Sequence, residues 1–471
     1  MGRQNDKEKE RRLAEAWGLT VGPRGELLVN GCSTIDLAKT YGTPVHVVNE
    51  DRLALTAANF HRAFCERYSK RVRVHYALKC NGVPGVVDII RRAGLKAEVM
   101  SQHELDLALH LGFAGEEIVV NGPYKPASFL RACLKLGVRF IIIDSQAELD
   151  ELRRQVADQG RAAQVLLRIN PDYTPRGMNS GSATGSRRGC AFGLDLRGGE
   201  AEQALTGFKP DDRVRFRGFH IHIGTGIRYP DDYRKALARL RPLVCRAQDL
   251  GLTIEVLDVG GGFSAATTRE MTALELLLYQ GWDRLPATIT RGDEAAVRDF
   301  ASGVVQGVTD LFGSAELPEL LVEPGRCIAS SNQLLLLTVH GVKERPGLRK
   351  WILTDGGIGT VTMPTFYECH DVLLCNDIHR PVTEKVTLIG PVCFASDAIY
   401  RNKRMPALNP GEVIAIMDSG AYFTAWESSF GFPHPPVVVV TAGRHRLLRR
   451  RETFQDMTAR DRPDQAGKED A

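Results

Sequence analysis

Eight strand-like runs separated by helix-length segments are the feature that most constrains the fold of this 471-residue chain. Most of the segments between the runs are amphipathic and long enough to form a helix. Eight strands alternating with helices predict a parallel (β/α)8 barrel, the TIM-like α/β fold, rather than an open sheet. In chain order the runs read VHYALK, LKAEVM, EIVVNG, RFIIID, QVLLRIN, FRGFHIHIG, IEVLDVGGG and ELLVEPG.

The pattern changes after about residue 330, where short, turn-bounded strand signals replace the alternation. Runs such as NQLLLLTVHGVKE, EVIAIMD and PVVVVTAG predict an antiparallel β domain. The charged residues 1–12 are predicted to be disordered, and the inserts 171–200 and 264–297 are long enough to predict a functional role. The predicted units are an N-terminal segment, the barrel, the β domain and a polar tail, with bounds 1–44, 45–330, 331–454 and 455–471.

The composition argues against several classes of protein. The formal net charge is only +4, which gives no electrostatic reason to expect a nucleic-acid partner. No apolar run reaches the roughly 18 residues of a membrane helix, and the polar start of the chain is unlike a secretory signal. The ten cysteines contain no CxxC pair, and Cys369, His370 and Cys375 lack the usual zinc-ligand spacing, so no metal site is predicted. We expect a cytoplasmic protein with reduced thiols.

Lys79 lies where the first barrel run ends, in YALKCN, directly before a Gly-Val-Pro turn. Catalytic groups of such barrels sit at the carboxyl ends of the strands, and a desolvated lysine there can form a Schiff base. A solvated or ion-paired lysine explains the isolated motif as well. The ends of the other runs add further polar or glycine residues, namely Glu98, Asn121, Asp144, Arg168, His222, Gly260 to Gly262, Glu323 and Arg326.

Three of these motifs fit a phosphorylated aromatic cofactor. Gly260 to Gly262 leave backbone amides open to an anion, although a flexible turn is the alternative. In HIHIGTG one imidazole can stack on a ring and Thr225 can reach a phosphate, whereas the histidine pair lacks a nearby third metal ligand. In EPGR, Glu323 and Arg326 enter the same mouth or form an isolated ion pair. Together with Lys79 the motifs predict pyridoxal 5′-phosphate as cofactor.

With these motifs in place, the chain resembles the fold-type III pyridoxal-phosphate decarboxylases, in particular the diaminopimelate decarboxylase-like branch of the ornithine/diaminopimelate decarboxylase family. The resemblance implies an alanine racemase-like barrel and a C-terminal β domain that is joined by residues from the start of the chain. It also implies a homodimer with active sites at the interface and decarboxylation of a small-molecule α-amino acid. The blocks that carry it are YGTPVHVVNE, YALKCN, HIHIGTG, DVGGGF, EPGR, GPVCFASD and MDSGAYFTAWESSF.

The resemblance implies roles for individual residues. Lys79 resembles the Schiff-base lysine, His222 the imidazole on the cofactor ring, and Glu323 the partner of the pyridine nitrogen. Cys393 resembles a cysteine that the neighbouring subunit contributes to return a proton to the substrate carbon. The other implied cofactor contacts are Glu98, Arg168, Thr225, Gly260, Gly261, Gly262, Arg326 and Tyr422, and the implied substrate positions are Asp355, Met363, Tyr367 and Phe394.

Two departures from the family's pattern concern the substrate. Phe394 follows Cys393 where diaminopimelate enzymes have a glutamate, and Met363 replaces the arginine of an Arg-Pro-x-x-Tyr segment. Arg187 or Arg188 in the long insert could compensate for these changes. Since an unpaired charge is costly in a closed pocket, we predict an α-amino acid substrate other than meso-diaminopimelate, less polar or conjugated, as in natural-product or siderophore biosynthesis.

Three alternatives stay open at this point. The first is a true diaminopimelate decarboxylase of lysine biosynthesis, and the second is an amino acid racemase on a similar barrel. The third is a cofactor-binding regulator without catalysis, which would be expected to lose Lys79 or Cys393. Both residues are present, which favours an enzyme.

Overall fold

The structure, a computed structural model, describes residues 2–178, 186–209, 212–286, 293–313, 316–361 and 366–461. Its strands in chain order are β1 Leu19–Val21, β2 Leu27–Val29, β3 Cys32–Ser33, β4 Val45–Asn49, β5 Val72–Ala77, β6 Lys96–Val99, β7 Ile118–Val120, β8 Phe140–Ile143, β9 Ala163–Asn170, β10 Leu194–Asp195, β11 Val214–Ile221, β12 Val256–Asp258, β13 Arg269–Glu270, β14 Glu319–Val322, β15 Gln333–Arg345, β16 Arg349–Thr354, β17 Glu368–Cys369, β18 Val372–Leu374, β19 Val382–Ile389, β20 Ala398–Pro406, β21 Val413–Ile416, β22 Val437–Thr441 and β23 Arg444–Arg449.

The helices of these residues occupy most of the connections between barrel strands. They are α1 Gly2–Trp17, α2 Thr34–Tyr41, α3 Glu50–Cys65, α4 Pro84–Arg92, α5 Gln102–His110, α6 Ala127–Leu136, α7 Gln146–Gln159, α8 Glu200–Thr206, α9 Asp231–Ala238, α10 Arg241–Asp249, α11 Ala273–Trp282, α12 Asp293–Phe312, α13 Arg326–Ala329 and α14 Phe454–Thr458. Short 3₁₀ turns span Leu78–Cys80, Gly115–Glu117 and Ser330–Asn332. Within the described ranges, no helix is both long and apolar enough to cross a membrane.

Eight parallel strands close into a barrel, which confirms the predicted fold class. The strands follow one another in the order β5, β6, β7, β8, β9, β11, β12 and β14, and β14 pairs back with β5. Each of the eight predicted runs overlaps one of these strands. The segment 233–251, which reads as one helix, is instead divided into α9 and α10, because Pro242 has no amide hydrogen for a continuous helix.

The barrel interior explains where the polar groups of the mouth lie. Six apolar side chains from five strands form a small buried cluster, namely Val119, Phe140, Ile142, Leu166, Val256 and Leu321. Side chains two positions apart on a strand point to the same face. Two positions beyond members of this cluster the chain places Asn121, Asp144, Arg168, Asp258 and Glu323, and His220 lies in register with Arg168 and Asp258. We call these six buried residues the polar layer.

The second large sheet contains strands from both ends of the chain. β15 pairs with β4, β16 and β21, and β4 lies between β15 and β22. The predicted boundary at residue 45 assigned β4 to the barrel domain, whereas its hydrogen bonds place it in this sheet. The reason is that a strand-forming sequence such as PVHVVNE does not itself specify its partner strands.

The N-terminal residues differ from the prediction of disorder, because α1 covers residues 2–17. Leu13, Ala16 and Trp17 at its end are buried in one apolar cluster with residues of the second sheet. The indole Nε1 of Trp17 also donates to Oδ2 of Asp418 over 3.0 Å. The polar composition of residues 1–12 hid this helix, since the buried residues Leu13, Ala16 and Trp17 come after them.

Candidate active site

Lys79 lies in the 3₁₀ turn that follows β5, at the mouth of the barrel. Its Nζ is 2.9 and 2.7 Å from the two carboxylate oxygens of Glu98 at the end of β6. The Lys79 side chain is 34% exposed, whereas that of Glu98 is 1% exposed. Burial opposes the ammonium, but the carboxylates of Glu98 and Glu323 outweigh it and raise the pKa of Lys79. The amine is therefore held in place on one side and reachable on the other.

The glycines of the DVGGG block bring backbone close to backbone at the mouth. A Cβ on Gly261 would collide with the carbonyl oxygen of Glu323, and one on Gly262 with that of Gly224. The amide of Gly261 donates to Nδ1 of His222 over 3.3 Å. Burial, together with nearby Arg168 and Lys79, lowers the pKa of His222 well below its ordinary value, so its imidazole is neutral. A neutral ring beside a glycine backbone that carries no side chains is suited to an aromatic phosphate.

Glu323 directly follows β14, and hydrogen bonds hold both its backbone and its side chain. Its amide donates to the carbonyl of Gly260 over 2.8 Å. Nδ2 of Asn121 lies 3.1 and 3.3 Å from its two carboxylate oxygens, and Nε2 of His220 lies 3.4 Å from Oε2. Asp258 completes the group, since ligand-type atoms of Asp258, His220 and Glu323 all lie within 4.8 Å of one another.

Arg326 is buried and paired at the start of α13. Its Nη2 lies 2.7 Å from Oε1 of Glu368, and its guanidinium lies 5.1 Å from the ring centroid of Tyr422. Oε2 of Glu368 is in turn 2.9 Å from Nε2 of His370. Burial raises the pKa of Glu368, but Arg326 and His370 outweigh it and leave that pKa at about 2. The Nε of Arg326 is buried without a hydrogen-bond partner among the described residues.

Tyr422 is tied directly to the turn that carries Lys79. Its amide donates to the carbonyl of Cys80 over 2.8 Å. Its φ of 67° lies in the left-handed region, where a non-glycine residue is strained, and such strain is concentrated at functional sites. Burial raises the pKa of its phenol to about 12, so the hydroxyl keeps its proton at neutral pH.

Arg168, the arginine of the polar layer, contacts an acid and an aromatic ring. Its Nη1 lies 3.2 Å from Oδ1 of Asp144, and its guanidinium lies 4.7 Å from the centroid of Phe192. Sequence reasoning gave no role to Phe192, Asp258 or Glu368. The period of two along β12 could have found Asp258, because Val256 belongs to the interior cluster.

The substrate positions are less completely placed. Tyr367 accepts a backbone hydrogen bond from Met271 over 2.7 Å and is half-buried. Asp355 accepts from the amide of Thr338 in β15 over 2.9 Å and from the hydroxyl of Thr43, which lies just before β4. Thr225 is half-buried, next to Gly224 in the loop after β11. Met363 lies outside the described residues.

Cys393 and Phe394 lie on an exposed loop between β19 and β20. Buried Asp397 fixes the base of this loop, because its two carboxylate oxygens accept from the Val392 amide over 2.8 Å and from the Ile358 amide over 2.7 Å. The Phe394 ring is 48% exposed and lies 6.3 Å from that of Phe430. The loop is thus rigid at its base and open at its tip.

These residues fit pyridoxal 5′-phosphate. An open amine, a neutral imidazole and a buried carboxylate surround one mouth, and the glycine backbone leaves no room for Cβ atoms. The unpartnered Nε of Arg326 can serve a phosphate oxygen. The model of the pyridoxal-binding domain of the pyridoxal-dependent decarboxylases matches residues 55–330.

The chain belongs to this family. Two curated relatives are the diaminopimelate decarboxylases of Corynebacterium efficiens, 30% identical over 92% of this chain and 91% of the relative, and of Methanocaldococcus jannaschii, 27% identical over 93% and 95%. The crystal structure of the M. jannaschii enzyme superposes with a TM-score of 0.83, at 26% identity, over 95% of this chain and 98% of that one. A second structure of that enzyme is a complex with L-lysine. The chain is therefore a pyridoxal-phosphate-dependent amino acid decarboxylase, as predicted.

Proposed function

We propose that this decarboxylase converts meso-diaminopimelate to L-lysine and CO2. The observation that carries the proposal is the similarity to diaminopimelate decarboxylases over more than nine-tenths of both chains. L-lysine, the ligand of one similar structure, is the product that such a reaction would give. The comparisons thus favour the alternative interpretation of the sequence over a substrate other than diaminopimelate.

A charged cleft beside Arg326 is consistent with this substrate. The cleft is lined by side chains of both signs, among them Arg228, Arg269, Glu270 and Asp299. The distal end of meso-diaminopimelate carries one ammonium and one carboxylate, so a cleft with both signs of charge can pair each of them. This supports a polar distal group despite the apolar residues at positions 363 and 394.

The proposed roles of the residues follow from their positions. When bound, the cofactor supplies an electron-withdrawing ring that accepts the electron pair of the Cα–carboxylate bond. Lys79 presents its partly exposed amine at the mouth of the barrel, and Glu323 holds a negative charge toward the ring nitrogen. The neutral imidazole of His222 covers a ring face, and the glycine amides with Arg326 hold the phosphate.

We assign the return of a proton to the substrate carbon to Cys393 of a partner subunit. Two observations support this assignment. Cys393 is exposed on its own chain, and so are the next residue, Phe394, and Phe430, whose ring lies 6.3 Å from that of Phe394. Exposed apolar groups of this kind favour association with a second copy. A homodimer and a cytoplasmic location accordingly stay part of the proposal.

A substrate panel tests the proposed reaction. Purified protein with added cofactor is assayed for CO2 release with meso-diaminopimelate, L-lysine, L-ornithine and L-arginine, and the products are separated by chiral chromatography. We expect turnover of meso-diaminopimelate to L-lysine. Stereoinversion without CO2 would instead identify a racemase and would refute the proposal.

One observation favours a second candidate, an amino acid with a less polar or conjugated side chain. The rings of Phe394 and Phe430 form an apolar surface next to Cys393. These two rings offer no counter-charge to a charged end of a substrate. If CO2 is released from such a substrate and not from meso-diaminopimelate, this second candidate replaces the first.

A further inference from the structure

Asp258 is a buried acid beside Glu323 that the reaction as described above does not use. It ends β12, is fully buried and lies in register with His220 on β11. Its Oδ1 accepts from the Gly260 amide over 2.8 Å. Its Oδ2 is buried and has no donor among the described residues. An unsatisfied buried carboxylate oxygen is costly, so this atom requires either a donor or a proton of its own.

Neither neighbour of Asp258 supplies that donor. Nδ2 of Asn121 is directed at the two oxygens of Glu323, at 3.1 and 3.3 Å. Burial, together with Arg168, lowers the pKa of His220 well below its ordinary value, so its ring carries at most one hydrogen, and its Nε2 faces Glu323. The only hydrogen that can satisfy Oδ2 of Asp258 within this group is one bound to Asp258 itself.

The charges of the site lead to the same conclusion. Around Glu323 the described residues contain two cations, Lys79 and Arg168, which face Glu98 and Asp144 respectively. Lys125 is buried too, but it pairs with Glu148 at 2.7 Å. Glu323 is then already a third carboxylate beside two cations, and a fourth negative charge on Asp258 would lie next to it without a counter-ion. Two buried carboxyl groups with oxygens within 4.8 Å of each other do not both ionise.

The pKa directions indicate which of the two carries the proton. Burial and the neighbouring Glu323 raise the pKa of Asp258 well above its ordinary value. Burial also raises the pKa of Glu323, but Lys79, Arg168 and a hydrogen bond from Asp258 oppose that shift. The proton therefore resides on Asp258.

We propose that Asp258 is a positioning residue, a neutral carboxylic acid that donates its hydrogen to Glu323 and so keeps Glu323 ionised and aimed at the cofactor's ring nitrogen. Asp258 does not touch the reacting atoms; it acts through Glu323. The inference rests on the proposed role of Glu323 and is independent of which amino acid is the substrate. Carboxylic acids kept neutral by an apolar or like-charged setting are an established way to supply a hydrogen-bond donor.

Asparagine and leucine variants separate this role from a charged one. In Asp258→Asn the amide can still donate to Glu323 and accept from Gly260, so we expect kcat within about threefold of the original enzyme. In Asp258→Leu the donor is lost, and we expect a fall in kcat of about a hundredfold with little change in KM. If both variants fold but Asn is as damaging as Leu, Asp258 acts as a carboxylate and the proposal is wrong.

Infrared difference spectroscopy tests the proton directly and does not need turnover. The original protein should show the carbonyl stretch of a neutral, buried carboxyl group, and Asp258→Asn should remove it. Asp232→Asn is the matched control, because Asp232 is also buried but faces Arg176, with Nε 3.1 Å from Oδ1, and should not contribute to that band. A difference spectrum, original minus Asp258→Asn, that lacks this band would refute the proposal.

Two further measurements distinguish other failures. The ¹⁵N chemical shift of the bound cofactor's ring nitrogen should report protonation in the original enzyme and in Asp258→Asn, and loss of protonation in Asp258→Leu. Elemental analysis should find no stoichiometric metal; a bound metal would reassign His220, Asp258 and Glu323 as its ligands and overturn the proposal. Full activity of Glu323→Gln with an intact neutral-carboxyl band would refute the role of Glu323 rather than the proton on Asp258.

Discussion

The two sides of the active site differ in how deeply their residues are buried within one chain. At the ring-nitrogen side, Glu323, Asn121, His220 and Asp258 are all buried and touch one another inside the barrel. At the cysteine side, Cys393 and Phe394 are exposed on a loop of the second sheet. The first, closed side follows from the period of two along barrel strands, whereas the second, open side lies on a surface loop.

This difference separates the residues that would serve the reaction from those that would select the substrate. The groups that would anchor and polarise the cofactor are fixed by barrel strands, whose positions vary little when loops change. Phe394, which departs from the family's pattern, belongs to the open side. Changes at the closed side should therefore abolish turnover, and changes at the open side should redistribute it among substrates.

Removal of the amine at the closed side should have the largest effect. Lys79→Ala should lower kcat by at least about a thousandfold, because it removes the amine that Glu98 holds at the mouth. The visible absorbance of bound cofactor should disappear with it. Lys96→Ala is the control, since Lys96 pairs with Glu117 at the opposite end of a barrel strand and should leave both readouts unchanged. An unchanged visible spectrum of the cofactor in Lys79→Ala would show that Lys79 does not anchor it.

Neutralising Glu323 tests the same side without removing the anchor. Glu323→Gln should lower kcat by about a hundredfold and change cofactor affinity only slightly, since the charge acts on the developing carbanion. Stopped-flow or steady-state rates beside a cofactor titration measure the two effects. Glu384→Gln, a half-exposed acid paired with Lys350, serves as the control.

Mixing two inactive variants tests whether the open side is completed by a second copy. Cys393→Ala alone should lower kcat by about ten- to a hundredfold. Combined with Lys79→Ala in a refolded or co-expressed mixture, it should recover up to about a quarter of the original activity, because half of the random dimers hold one intact site of two. Absence of any recovery in dimers of proven mixed composition would place both residues in the site of one chain.

Phe394→Glu sharpens the specificity side of the comparison. A carboxylate beside Cys393 should improve kcat/KM for meso-diaminopimelate by about tenfold over less polar amino acids, since its distal ammonium gains a partner. The relative kcat/KM across the substrate panel is the measurement, and Phe394→Leu is the control for loss of the ring alone. An unchanged ranking with Glu would show that this position does not contact the distal end.

The smallest effect concerns the pH dependence of stability through Glu368. Its pKa in the folded state is about 2, below the ordinary value of 4.5, because Arg326 and His370 outweigh the effect of burial. A lowered folded-state pKa contributes stability that is complete above about pH 4.5 and is lost as pH falls toward 2. Chemical unfolding between pH 6 and pH 3 should show a decline that is shallower in Glu368→Gln; an equal slope would argue against the pairing.

The barrel could be predicted from the sequence because each of its strands carries its own apolar signal and its own helix-length connection. Lys79, Glu323 and the glycines could be found for the same reason, since they follow strand ends. Asp258 was missed, because within DVGGG it reads as part of a turn even though it lies two positions after Val256 of the interior cluster. Its importance depends on His220 and Glu323, which are distant in sequence but adjacent across the barrel.

The second sheet and the open side were harder to predict for a different physical reason. β4 reads as a strand, but its partners β15 and β22 lie almost 300 and almost 400 residues further along the chain. The helix α1 reads as disordered because the residues that join an apolar cluster, Leu13, Ala16 and Trp17, come after a long polar stretch. Local sequence gives the conformation of such segments at best, whereas their contacts are decided by distant parts of the chain.

The position of β4 has a consequence for synthesis of the protein. Residues 45–49 leave the ribosome long before one of their two neighbours in the sheet, residues 437–441. Until those residues are translated, one edge of β4 lacks its strand and exposes unpaired amide and carbonyl groups. A chain that terminates before residue 437 keeps that edge open for good. We expect such truncated chains to aggregate even when their barrel has all eight strands.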